Sequence, residues 1–303
     1  MAEEIFDQAS GLRASMSMKL QQTAATQRQE RSTTTNRKVK VITVTGGKGG
    51  VGKSNVSLNL AISLAAQGKK VMLLDADLGL ANIDVMLGLK VRRNLFNVLS
   101  GECSLDDIII TGPHDVMILP ATSGTQSMVE LSSAQHAALI RAFGDLKTEV
   151  DVLIVDTAAG ISSMVLSFAR AAQHVMMVVC DEPTSVTDAY ALMKILSKEY
   201  GLYNFKVVAN MVHSLKEGQD LFTKLEKVTQ RFLNVSLELV ASIPYDPNIK
   251  QAVKRQQVVV DAFPKSPASI MFRALANKVS SWPIPYQAEG YLQFFIENML
   301  ASK

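Results

Sequence analysis

The sequence predicts a doubly wound α/β domain, a mostly parallel sheet flanked by helices, and three observations carry that prediction. Continuous runs rich in Val, Ile and Leu recur along the chain, amphipathic stretches lie between them, and a glycine-rich loop joins the first run to the first amphipathic stretch. Apolar runs without polar alternation belong to strands buried on both faces, the condition of a parallel sheet covered by crossover helices.

The strands expected on this reading are VKVITVT (39–45), VMLLD (71–75), VMILP (116–120), VLIVD (152–156), VMMVVC (175–180), FKVVAN (205–210) and LELVASI (237–243). Amphipathic helices are expected over SNVSLNLAISLAAQ (54–67) and ALIRAFGDLK (138–147). Two segments break the alternation. Residues 21–38 are polar and poor in large apolar groups, which suits a flexible linker. WPIP at 282–285 ends the last core helix and releases a terminal segment. The chain therefore divides into an N-terminal arm (1–38), a nucleotide-binding domain (39–281) and a C-terminal amphipathic helix (282–303).

At 303 residues, 48% hydrophobic and 19% charged, the composition is that of a well-packed globular protein. Basic and acidic residues nearly balance, 31 against 28, so no specific nucleic acid is expected as partner, although a local patch stays open. Cys103 and Cys180 form no C-x-x-C pair, which removes support for a metal centre or a disulfide framework. The N-terminus, MAEEIFDQ, is acidic and lacks the apolar core of a secretory signal, and no apolar run reaches the roughly 18 residues of a membrane span. A cytoplasmic location is the expectation.

The glycine-rich loop reads GGKGGVGKS, residues 46–54. Gly47, Gly52, Lys53 and Ser54 complete a G-x-x-x-x-G-K-[ST] phosphate-binding motif, set between a strand and a helix as that motif demands. Gly46, Gly47, Gly49, Gly50 and Gly52 let backbone N–H groups turn inward around a phosphate, and the helix N-terminus adds partial positive charge. Lys53 is placed to bridge the outer phosphates of ATP, and Ser54 to ligate Mg²⁺; Val51 and Asn55 complete the stretch assigned to the nucleotide. Lys48 is a lysine more than the motif needs.

Asp75 and Asp77, in LLDADLG, and Asp156, in LIVDTAAG, fall at or just past the carboxyl ends of expected strands, where open α/β sheets bind ligands. Singly, each suits a cap or a turn. Three on one edge favour a site, with Asp156 as the Walker-B-like residue holding Mg²⁺ through water.

KGGVGKS together with DADLGLANID, VDTAAG and DEPTSVTDAYA resembles the deviant Walker A ATPases of the MinD/ParA class, and within it the MinD-like regulators of flagellar number, the FlhG/FleN family. The resemblance covers nearly the whole chain, with the motifs in family order. It implies that Lys48 reaches across a face-to-face ATP-bound homodimer to the partner's phosphates, which makes dimerisation and hydrolysis interdependent. A cation arriving in trans fits the charge that phosphoryl transfer develops. Lys48, Lys53 and Asp77 are then the catalytic residues, Asp77 orienting the attacking water, while Asp75 supports the Mg²⁺ shell beside Ser54 and Asp156. Asn210, in VVANM, and Pro244 with Asp246, in SIPYDP, occupy places that contact adenine or ribose in related ATPases.

Both ends carry apolar stripes. Ile5, Ala9, Leu12 and Met16 lie at helical spacing on a segment too short to be stable alone. Within it DQASGLR (7–13) resembles the DQAxxLR element with which FlhG proteins stimulate the GTPase FlhF, which implies partner contacts at Asp7, Gln8, Ala9, Leu12 and Arg13. Leu292, Phe295, Ile296 and Met299 form the second stripe, long enough to lie in a membrane interface or to dock on the core. The resemblance favours a membrane-targeting helix whose two copies act together in the ATP dimer, peripheral on the inner face of the cell membrane. It further implies flagellar C-ring proteins and a flagellar master transcription activator as partners. A different class of function, a DNA-partitioning ATPase, would use Lys250, Lys254 and Arg255 as a phosphate-binding patch.

Overall fold

The computed structural model describes residues 38–77, 82–120, 133–283 and 295–296. All of them fall in one compact unit, Arg37–Lys303. The expected contacts at Asp7, Gln8, Ala9, Leu12 and Arg13, and the stripe positions Leu292 and Met299, lie outside the described residues.

Among the described residues, eight strands form one sheet: β1 (Lys40–Thr45), β2 (Val71–Ala76), β3 (Ile110–Thr111), β4 (Met117–Pro120), β5 (Val152–Thr157), β6 (His174–Val179), β7 (Asn204–Val212) and β8 (Ser236–Pro244). Their order is β3-β4-β2-β5-β1-β6-β7-β8. Every pairing is parallel except β3 with β4 at the edge. The seven expected strands are present within two residues of their expected bounds. The two-residue β3 was not expected, because a strand that short leaves no periodicity to read.

Alternate residues of the central strands face opposite apolar layers, as the pleat dictates. Ile42, Val44, Leu73 and Ile154 pack under α1 (Lys53–Ala65) and later helices. Val41, Met72, Leu74, Leu153 and Val155 face the other side. The α1 side also carries α2 (Ile83–Leu87), whose Ile83 and Leu87 join its apolar cluster, whereas the second side is covered by α3 (Leu95–Leu99), α4 (Ser133–Gly144), α5 (Ser163–Ala171), α6 (Pro183–Tyr200) and α7 (Leu215–Phe232). The α1 layer is completed by α8 (Pro247–Lys254), α9 (Val259–Ala262) and α10 (Pro267–Ser280). The expected helix 138–147 is the second half of α4, which stops at Gly144.

Strand order positions the site. β1, which feeds the glycine-rich loop, lies between β5 and β6, and β5 lies between β1 and β2. Registers Asp75↔Asp156 and Val44↔Asp156 set both buried carboxylates beside the start of the loop, at the carboxyl edge.

Phe295 and Ile296 are helical and almost fully buried, in the apolar cluster that contains Leu139, Phe143 and Phe168. The Phe168 and Phe295 rings stack with centroids 6.3 Å apart. Both side chains are thus docked on the core. No described helix is long and apolar enough to cross a membrane.

Candidate nucleotide site

The loop after β1 turns through left-handed φ values of 82° at Gly50 and 88° at Gly52, conformations that favour glycine. Gly47 is required for a different reason: a Cβ there would come within 2.2 Å of the Asp188 backbone of α6. Gly49 and Gly50 face open space. Gly52 caps α1, and Val56 N–H donates to its carbonyl at 3.0 Å. Val51 is buried, and Ser54 and Asn55 begin the helix.

Two lysines of this one loop go to different places. Lys53 is buried, and its Nζ donates to the Lys48 carbonyl at 3.3 Å. Burial pulls its pKa down, while Asp156 and Asp77 oppose that shift. Lys48 is exposed at the rim, paired with Glu182, and donates to Thr184 Oγ1 at 3.0 Å. The hydrogen bond to Glu182 holds its pKa above the usual lysine range. Glu182 and Thr184 belong to the DEPTSVTDAYA stretch, but no spacing rule singles them out; the legible signal is a carboxylate just past the end of β6.

Asp156 is fully buried at the end of β5, and Ser57 Oγ donates to its Oδ1 at 2.9 Å. Burial raises its pKa to about 7, the Asp75 charge adds to that, and the Ser54 and Ser57 hydroxyls with Lys53 pull the other way. Its Oδ2 has no hydrogen-bond partner among the described residues. An orphaned buried carboxylate oxygen beside the Ser54 hydroxyl is a hard oxygen donor set, and it fits Mg²⁺, held directly or through water.

Asp75 is buried and its carboxylate is occupied. Oδ2 accepts from Asn82 N and Ile83 N, each at 3.1 Å, and Oδ1 accepts from Asp77 N at 3.3 Å. Burial raises its pKa to about 6 against these three amides. Asp75 therefore ties both ends of the 77–83 segment to the sheet. Asp77, half-buried, follows β2 on the same edge.

Asn210 is buried, and its Nδ2 donates to the Val51 carbonyl at 2.8 Å, clamping the phosphate loop to β7. Gly160 N–H donates to the Gly46 carbonyl at 3.2 Å, tying the loop after β5 to the same place. Pro244 ends β8 opposite Val212. Asp246 accepts from Asn248 N at 2.9 Å and Ala268 N at 3.2 Å, joining the starts of α8 and α10. The carboxylate of Asp246 is thus engaged in capping, a role its expected position beside the base did not reveal.

A doubly wound sheet with a glycine-rich loop, a buried loop lysine and an orphaned aspartate oxygen defines a P-loop nucleotide hydrolase. The ParA family profile, described as NUBPL iron-transfer P-loop NTPase, matches residues 37–280. The chain is 59% identical to the antiactivator FleN of Pseudomonas aeruginosa, over 86% of this chain and 94% of that protein. It is 33% identical to the flagellum site-determining protein YlxH of Helicobacter pylori, over 84% of this chain and 88% of that one. Among solved structures, the septum site-determining protein MinD of Pyrococcus horikoshii, complexed with Mg-ADP, superposes with a TM-score of 0.63 at 25% identity, covering 80% of this chain and 96% of that one. The chain belongs to the MinD/ParA family of P-loop ATPases, and within it to the FlhG/FleN flagellar regulators.

Proposed function

We propose that this ATPase is an ATP-driven dimerisation switch that sets flagellar number or placement. The observation that supports this most directly is the divergence of the two loop lysines, Lys53 buried toward Asp156 and Lys48 exposed at the rim beside Glu182. A cation held outside its own phosphate cradle is available to a second copy's phosphates. Lys53 and the loop amides then hold the nucleotide from Gly47 to Asn55, Lys48 enters in trans, and Asp77 orients the attacking water. Asn210 keeps the loop in register, with Pro244 and Asp246 at the base side. Ser54 and Asp156 would hold Mg²⁺, with Asp75 supporting them through the 77–83 segment; bound there, the ion would neutralise charge on the outer phosphates.

The partners follow from the same reading. The N-terminal segment with Gln8, Leu12 and Arg13 stimulates the GTPase FlhF, and C-ring proteins and a transcription activator respond to the nucleotide state. The C-terminal stripe meets the membrane surface when ATP is bound. Phe295 and Ile296 are buried against the core, so lipid binding requires them to undock first. The alternative, DNA partitioning, lacks a comparable observation at the nucleotide site.

The test is ATPase rate against protein concentration. Turnover per chain should rise with concentration in the wild type and stay low and flat in Lys48→Ala. Concentration-independent turnover, equal in both, would remove the switch.

A further inference from the structure

Ser57 is fully buried on α1, between buried Val56 and Leu58, and its hydroxyl is used in an uncommon way. A helical Ser or Thr ordinarily bonds the carbonyl three or four residues back on its own helix. Thr187, Thr223 and Thr229 do so, onto the carbonyls of Pro183, Gln219 and Leu225. Ser57 Oγ instead donates across to the sheet, to Asp156 Oδ1 at 2.9 Å.

Two periodicities bring this pair together. Asp156 stands two residues after Ile154 on β5, so both side chains point to the α1 layer. Ser57 lies three residues after Ser54 on α1, so both hydroxyls share one face of the helix. Asp156 accepts hydrogen bonds from both serines. The backbone at this point is tied down as well, because Thr157 Oγ1 donates to the Val44 carbonyl at 3.1 Å and joins the end of β5 to β1. What freedom remains to Asp156 is rotation of its carboxylate, a broad, two-fold torsion when nothing holds either oxygen. Ser57 holds Oδ1, and Oδ2 is left without a hydrogen-bond partner among the described residues. Ser54 cannot take over this task, since its oxygen is the one assigned to Mg²⁺.

We infer that Ser57 is a positioning residue for the metal site: by donating to Asp156 Oδ1 it fixes the carboxylate with Oδ2 free, and so sets the affinity of the site for a divalent cation. The inference rests on the reading that Ser54 and Asp156 hold Mg²⁺, and adds to it a residue outside the phosphate-loop motif that acts only through Asp156. Removing an outer hydrogen-bond partner of this kind costs roughly ten- to hundredfold in metal affinity.

The probe is Mn²⁺, titrated into a complex of full-length protein and ADP so that no hydrolysis intervenes, with the free ion read by electron paramagnetic resonance. Ser57→Ala should raise the Mn²⁺ dissociation constant roughly ten- to hundredfold. Because a change at a fully buried position also acts through packing, Ser57→Thr and Ser57→Val are measured beside it; their shapes match and the hydroxyl is what separates them. The Thr variant should bind Mn²⁺ within about threefold of wild type, and the Val variant should match Ala. Thermal unfolding is recorded for each, since a role confined to joining α1 to β5 would lower thermal stability and leave the Mn²⁺ constant alone. Equal Mn²⁺ constants in the Thr and Val variants, or a Ser57→Ala protein that binds Mn²⁺ like wild type while Asp156→Asn binds it weakly, overturns the inference and leaves the metal reading standing. A loss of ADP affinity in Ser57→Ala that is the same with and without Mn²⁺ places the damage in the phosphate loop and overturns it too. Wild-type Mn²⁺ affinity in Asp156→Asn removes the metal reading itself, and the inference with it.

Discussion

Lys48 and Glu182 form an ion pair at the rim of the phosphate loop, 134 residues apart in sequence, with Thr184 on the same ammonium. The second lysine of the loop is therefore held by residues of its own chain. An exposed pair of this kind holds its partner weakly, so the lysine can be exchanged to another anion at little cost.

This sets the first prediction. Lys48→Ala should weaken ATP-dependent dimerisation far more than ATP binding by the monomer, whereas Lys53→Ala, which removes a buried cradle cation, should abolish binding. Nucleotide titration of each variant, with sedimentation in parallel, separates the two. Glu182→Gln releases Lys48 and should shift the ATP dimerisation constant toward dimer by roughly two- to fivefold.

Asp77→Ala should leave ATP binding and dimerisation intact and stop hydrolysis, because only the orientation of water is lost. The trapped dimer accumulates. Steady-state phosphate release at the parental rate would show that Asp77 has no such role.

Asn210 makes a buried bond to the Val51 carbonyl. Asn210→Ala leaves that acceptor unsatisfied, a loss of about 1–3 kcal/mol in stability together with a looser phosphate loop. Thermal unfolding and ATP affinity should both fall. A change in ATP affinity without any change in stability would instead point to a contact with the base alone.

Much of this was legible in the sequence, and the exceptions have physical reasons. The central strands carry Val, Ile and Leu on both faces, so each run announces itself, and the glycine loop is recognisable because its backbone conformations admit little else. Ser57 was not legible as a partner of Asp156, because a serine inside a helix has many uses and 99 residues separate the two. Glu182 shows in the sequence only as a carboxylate just past the end of a strand, and Thr184 carries no such sign. The engagement of Asp75 and Asp246 by amides was also hidden, since an aspartate at a strand end looks alike whether it awaits a metal or caps a helix. The apolar stripe around Phe295 left docking and lipid binding open, and its position against Phe168 shows the docked arrangement.

His174 gives a pH dependence at the opposite edge of the sheet. It faces Trp282, with ring centroids 4.8 Å apart, and its Nε2 has no hydrogen-bond partner among the described residues. Burial, with Lys206 and Lys40 nearby, lowers its pKa to about 4, against the weaker pull of the Pro283 carbonyl and Glu238. The folded state therefore binds fewer protons than the unfolded chain between about pH 4 and the ordinary histidine value of about 6.5. Its stabilising contribution is complete above that value and is lost as pH falls toward 4. Chemical denaturation should show up to about 3 kcal/mol less stability at pH 4.5 than at pH 7.5 from this group, and His174→Phe should flatten that part of the profile. An unchanged slope in the variant would assign the acid sensitivity elsewhere.

On the proposed switch, ATP, and not ADP, joins two copies of this chain through Lys48. Sedimentation velocity of Asp77→Ala at saturating Mg-ATP and Mg-ADP tests it most directly, because hydrolysis cannot dissipate the complex. A dimer is expected with ATP, a monomer with ADP, and a monomer with both when Lys48→Ala is added. A species that stays monomeric with ATP at concentrations well above the dissociation constant for nucleotide, or a dimer indifferent to Lys48, would contradict it.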